Sequence, residues 1–135
     1  MKRKVHVIHH THWDFEWYFT ANESLVQLAY HLDEVMQALE QQQISYYLLD
    51  GQMSILDDYL TSFPEQKERL MKLVKSGKLA IGPWYTQTDE LIVRGESIVR
   101  NLNLGMTLAE SLGGCMNVGY LPDSFGHGTA TTEIY

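Results

Sequence analysis

Residues 4–14, Lys4-Val5-His6-Val7-Ile8-His9-His10-Thr11-His12-Trp13-Asp14, change character midway. Val5, Val7 and Ile8 make the first half a strand candidate. The second half, crowded with imidazoles, an indole and a carboxylate, reads as a loop. The same change recurs three times. Residues 44–49 run into Asp50-Gly51-Gln52, residues 78–81 into Gly82-Pro83 and a mixed loop, and residues 116–121 into Pro122-Asp123. Helical periods lie between them. In the first, Asn22 is a suitable N-cap and Glu23 sits in the first turn. Leu25, Leu28, Leu32, Val35, Met36 and Leu39 fall on one face. A short amphipathic stretch (Met53, Ile55, Leu56, Tyr59, Leu60) leads to Pro64, which opens a second helix running to about Ser76, with Gly77 placed to end it. Residues 96–112 form the third helix, stopped by Gly113-Gly114. The order β-α-β-α-β-α-β predicts an α/β fold with a parallel sheet and crossover helices. In such folds the loops after the strands converge on one rim and carry the chemistry.

The whole chain has 135 residues, enough for one domain burying roughly two-thirds of its unfolded surface. A complete (β/α)8 barrel needs about 200 residues or more. The formal charge is −7, and the only basic cluster is Lys2-Arg3-Lys4, which argues against a nucleic-acid partner. A single cysteine, Cys115, cannot form an internal disulfide and fits a reducing, cytoplasmic setting. The apolar run after the basic start is too short and too rich in histidine for a signal peptide. No stretch approaches the ~20 apolar residues of a membrane span.

His12 and Asp14, two residues apart in an extended segment, project to the same side and could share one divalent ion, zinc suiting nitrogen with carboxylate oxygen. A hydrophilic loop after a strand is the plain alternative. His10 could supply a hydrogen bond that orients a ligand, or could simply end the strand. Trp13, Phe15, Trp17, Tyr18 and Phe19 make this loop unusually aromatic. Such side chains either line a pocket or plug the end of the sheet. Asp123, after Pro122 and before Gly126, could be a metal ligand, a general base or a nucleophile, or could belong to an ordinary turn. His127 is open in the same way. Asp89 and Glu90 read equally as catalytic carboxylates or as a solvated acidic loop. Asp50 reads as a cap for the turn that follows it. Together these residues point to metal-assisted hydrolysis around an aromatic pocket.

Three blocks carry a closer likeness. His10-Thr11-His12-Trp13-Asp14 with Trp17, then Gly82-Pro83-Trp84-Tyr85-Thr86-Gln87-Thr88-Asp89, then Gly119-Tyr120-Leu121-Pro122-Asp123-Ser124-Phe125-Gly126-His127 resemble motifs of the glycoside hydrolase family 38 α-mannosidases, in the same order and at similar spacing. The likeness runs from about Lys4 to Tyr135 and is of the bacterial α-mannosidase or mannosylglycerate hydrolase type. It implies that residues 1–135 are the N-terminal, truncated portion of a catalytic domain built as a seven-stranded β/α barrel. It further implies a zinc-dependent retaining α-mannosidase acting on terminal α-D-mannosides. By motif position His12, Asp14 and Asp123 would be zinc ligands. Asp123 would also be the nucleophile that forms the glycosyl-enzyme, and Trp17 would line the sugar pocket. His10, Asp89 and His127 would stand around that set. The family's fourth zinc ligand, a histidine, and its acid/base carboxylate lie far downstream, so the chain alone is expected to be inactive and weak for zinc. An open sheet edge after the fourth strand would favour self-association as a homo-oligomer. Two other readings compete: a polysaccharide deacetylase-like metal hydrolase, which would release acetate rather than mannose, and a non-catalytic metal- or sugar-binding module.

Overall fold

The computed structural model describes residues 2–128, so the last part of the predicted likeness, up to Tyr135, lies outside the described residues. Among the described residues, four helices and a parallel strand pair make up the fold. Helix α1 (Ala21–Glu40) is followed by strand β1 (Tyr47–Leu48) and helix α2 (Met53–Ser62). A single 3-10 turn (Pro64–Gln66) runs into helix α3 (Lys67–Lys75), and strand β2 (Leu79–Ala80) and helix α4 (Gly95–Ser111) complete the order.

The apolar spacing read from the sequence explains the helices. α1 buries Leu28, Leu32, Val35, Met36 and Leu39 along one stripe, each of which contributes about 1.5–3 kcal/mol on leaving water. Its N-cap is Thr20 rather than Asn22. Thr20 and Glu23 form a reciprocal capping box, which satisfies two amides where an isolated cap satisfies one. The stretch around Met53 is a full helix of 10 residues, burying Met53, Ile55, Leu56 and Tyr59. Pro64 opens the 3-10 turn as its missing N–H allows, and Gly77, at φ +72°, ends the following helix in the left-handed conformation. These faces meet Leu79 of β2 and Leu49 and Ile81, which directly follow the two strands, in one core, which Ala109 of α4 and its C-cap residue Leu112 close.

β1 and β2 pair in parallel, Tyr47 opposite Leu79 and Leu48 opposite Ala80. The two outer strands predicted from the sequence are reduced to single contacts. Residues 4–9 lie extended with Val5 80 % and Val7 78 % exposed, and join β1 only where the Leu48 amide donates to the His9 carbonyl (2.9 Å) and the Thr11 amide to the Leu48 carbonyl (3.2 Å). Residues 116–121 join β2 through one bond, from the Met116 amide to the Ile81 carbonyl at 2.7 Å. One contact does not make a ladder, and no face packs on the exposed valines to extend it. The lateral order nevertheless follows the chain: first segment, β1, β2, last segment. The result is a small α/β fold with parallel strands.

Candidate functional site

The four loops that follow these segments meet at one end of the sheet. Gly51, at φ +75°, turns the chain sharply after β1, which lets Asp50 and Gln52 both face the neighbouring loops. Asp50 is fully buried. Its Oδ1 accepts from Nδ1 of His12 at 3.3 Å and its Oδ2 from the backbone amide of Trp13 at 2.9 Å. The Gln52 side-chain amide also donates to Asp50 and, at 2.8 Å, to the carbonyl of Trp13. From the third loop, Nε2 of Gln87 donates to the Asp50 carbonyl at 2.7 Å. Burial pushes the Asp50 carboxyl up from its ordinary pKa, while the bonds from Gln52, Trp13 and His12 pull the other way. The turn-capping role expected of Asp50 is therefore replaced: the N-cap of α2 is Gln52, which makes no side-chain cap hydrogen bond.

With Nδ1 of His12 turned to Asp50, Nε2 faces the other way. It lies 3.5 Å from Oδ1 of Asp14 and 3.8 Å from Oδ2 of Asp123. Asp14 and Asp123 are both more than half exposed, and with His12, Gln87 and Asp89 they line a cavity of about 170 Å³. Asp123 holds φ at +52°, a left-handed conformation uncommon for a residue with a side chain, and this aims the carboxylate back at His12. One imidazole nitrogen and two carboxylates are the donor types that zinc accepts, and a neutral ring bound through Nε2 while Nδ1–H bonds a carboxylate is the usual state of a ligating histidine. Among the described residues no three such side chains are gathered tightly enough to hold a metal ion unaided. The donor set fits zinc in kind and leaves coordination places to be filled.

The other predicted residues are distributed unevenly. His10 pairs with Tyr120, whose hydroxyl lies 3.0 Å from its Nδ1, and the bond to His12 comes from Asp50 instead. Asp89 lines the cavity and accepts the Leu91 amide at 3.2 Å. Glu90 does not belong to a solvated acidic loop: its side chain is 1 % exposed. Its Oε2 lies 3.4 Å from Nδ1 of His127 and accepts the Gly128 amide at 3.2 Å, which ties the loop bearing Asp123 to the third loop. Nε2 of His127 in turn lies 3.2 Å from the Ser124 hydroxyl. The aromatic loop divides. Trp13 and Phe15 pack on the core, Trp13 stacked on His31 with centroids 5.9 Å apart. Trp17 stands 69 % exposed against Tyr18, away from the cavity lining.

A further layer fixes these loops from behind. Thr11, buried, bonds His31 of α1 at 2.7 Å and also the hydroxyl of Tyr47. Burial lowers the His31 pKa, against a smaller opposing pull from Glu34. The indole of Trp84, wholly buried, donates to the Tyr120 carbonyl at 3.0 Å and packs with Ile98 and Leu102 of α4. Asp50 was the residue whose importance local sequence reading missed. Its signal lay only in a carboxylate placed directly after a strand, at the level of the histidines.

Comparison with known proteins adds the following. The profile of the glycosyl hydrolases family 38 N-terminal domain matches residues 2–135. A protein of Halalkalibacterium halodurans, whose name assigns it provisionally to the mannosylglycerate hydrolases, is 36% identical over 129 residues, 93% of this chain and 14% of its own length. The crystal structure of an alpha-mannosidase from Enterococcus faecalis superposes with a TM-score of 0.88 at 39% identity, covering 93% of this chain and 14% of that one. A second Enterococcus faecalis structure, of a protein in glycosyl hydrolase family 38, gives 0.80 at 36% identity, with 94% and 14% covered. The chain thus spans about 14% of the length of these relatives.

Proposed function

The chain belongs to glycosyl hydrolase family 38, and from that premise we propose that it carries the nucleophile side of a zinc-dependent, retaining α-mannosidase site. The observation that carries the proposal is the convergence of Asp14 and Asp123, from two different loops, on the one free ring nitrogen of His12. In this reading Nε2 of His12 and the carboxylates of Asp14 and Asp123 hold the metal. Bound zinc supplies positive charge that keeps a neighbouring carboxylate ionised and anchors sugar hydroxyls. Asp123 attacks the anomeric carbon as the glycosidic bond breaks, which gives a glycosyl-enzyme ester. The departing oxygen takes its proton from an acid/base carboxylate about 5–5.5 Å from the nucleophile, as retention requires. That group then activates the water that hydrolyses the ester. Neither it nor the fourth metal ligand is among the residues assigned here. His12, held by Asp50, keeps the metal side in register. Glu90 holds the loop that presents Asp123. The exposed face of Trp17 suits stacking on a sugar ring.

The substrate class is a terminal α-D-mannoside, and the seven-stranded barrel is the architecture in which the sequential strand order seen here would continue. A cytoplasmic setting is in keeping with the single Cys115, and self-association with the sparsely paired outer segments. Among the described residues no helix is long and apolar enough to cross a membrane. The deciding experiment uses an α-mannosidase containing this chain. Asp123→Asn should abolish turnover of an aryl α-mannoside while leaving the fold intact by circular dichroism. Near-normal turnover would remove Asp123 from its role. Release of acetate from an acetylated polysaccharide, with no mannose released, would favour a deacetylase instead.

A further inference from the structure

We propose that Asp50 is the positioning residue of His12: its buried carboxylate selects the ring tautomer with hydrogen on Nδ1 and so presents a bare Nε2 to the space between Asp14 and Asp123. This rests on the metal-site reading above and adds to it a residue that is not itself a ligand. An ionised carboxylate only accepts hydrogen bonds, so the ring nitrogen facing Asp50 at 3.3 Å must carry the hydrogen. A ring flip would break that bond, and the carboxylate that would lose it is 0 % exposed.

Asp50 is held in turn. Its second oxygen takes the Trp13 amide at 2.9 Å and the Gln52 side chain, and Gln52 also grips the Trp13 carbonyl at 2.8 Å. Residues 50–52 therefore fasten the backbone on the C-terminal side of His12 and the His12 ring at once. Gln87 ties the same segment to the third loop through the Asp50 carbonyl. Tyr120 and His10 bond to each other rather than to His12 or Asp50. A carboxylate on the far ring nitrogen also raises the basicity of the ligating one, and losing such a partner typically costs 10–100-fold in metal affinity.

The test uses the chain labelled with nitrogen-15 in its histidines, free of metal, at about pH 8, where imidazoles are neutral. Long-range proton–nitrogen correlation should show His12 as the Nδ1–H tautomer in the unaltered chain. In Asp50→Asn one acceptor oxygen is replaced by a donor, and the His12 signal should shift toward the Nε2–H form. In an α-mannosidase containing this chain, competition with a chromogenic chelator should then show zinc held about 10–100-fold more weakly by Asp50→Asn than by the unaltered protein. An Nε2–H ring in the unaltered chain overturns the proposal without any variant having to fold. Unchanged zinc affinity in a folded Asp50→Asn also overturns it. If an α-mannosidase containing this chain takes up no zinc at all, the metal reading fails, and the tautomer alone decides the role of Asp50.

Discussion

The side-chain amide of Asn101 closes on the backbone of Thr86 from both sides. Its Oδ1 accepts the Thr86 amide at 2.9 Å, and its Nδ2 donates to the Thr86 carbonyl at 2.7 Å. The same Oδ1 also accepts the Tyr85 amide at 3.0 Å. One residue of α4 therefore supplies backbone partners to the loop that leads into Gln87 and Asp89. Asn101→Ala should lower stability by about 0.5–1.5 kcal/mol, the net worth of hydrogen bonds whose groups water can reach. Amide hydrogen exchange at Tyr85 and Thr86 should accelerate more than at sites remote from the loop. Unchanged exchange there would show that the loop holds itself.

One turn further along α4, Gly105 allows the helix to touch that loop. A Cβ at this position would lie 2.2 Å from the Trp84 carbonyl carbon and 2.3 Å from the Pro83 oxygen, both backbone atoms. Gly105→Ala should therefore cost about 3 kcal/mol or more. At Gly95, in the first turn of the same helix, a Cβ meets nothing within 4 Å. Gly95→Ala should stabilise by about 0.4–1 kcal/mol through lost freedom in the unfolded chain. Urea midpoints of the two variants should move in opposite directions. Movement in the same direction would contradict the packing.

Acid should weaken the fold through His31. Burial depresses its folded pKa below the unfolded value, so the unfolded chain binds more protons in the window between them. Its contribution to stability is full above the unfolded value and is lost as pH falls through the folded one. The loss in urea midpoint from about pH 7.5 to 5.5 should be larger for the unaltered chain than for His31→Gln. Equal losses would place the acid sensitivity in other histidines.

Much of this was legible locally. Helix positions follow from apolar spacing, and α1 and α4 lie within one or two residues of where Leu28 to Leu39 and Ile98 to Leu112 place them. The N-cap of α1 was not: residue type points to Asn22, whereas Thr20 caps the helix through its box with Glu23. Strand extent was not legible, because a strand is a property of its neighbours and the exposed Val5 and Val7 have no facing layer. In the site, His12, Asp14 and Asp123 stand out by residue type and motif position, and Nε2 of His12 lies 3.5 Å from Asp14 and 3.8 Å from Asp123. Asp50 and Glu90 do not. Each acts on a residue 38 or 37 positions away in sequence, across a loop boundary, and nothing in the local pattern encodes that distance.

The division of the first loop has a consequence for how such a site can change. Trp13 and Phe15 are anchored in the core beside His12 and Asp14, whereas Trp17, Tyr18 and Phe19 stand in solvent. Few packing contacts constrain the outer three, so their replacement need not disturb the inner half. On the function proposed above, the loop's tip can therefore drift in sequence while His12 and Asp14 stay in place.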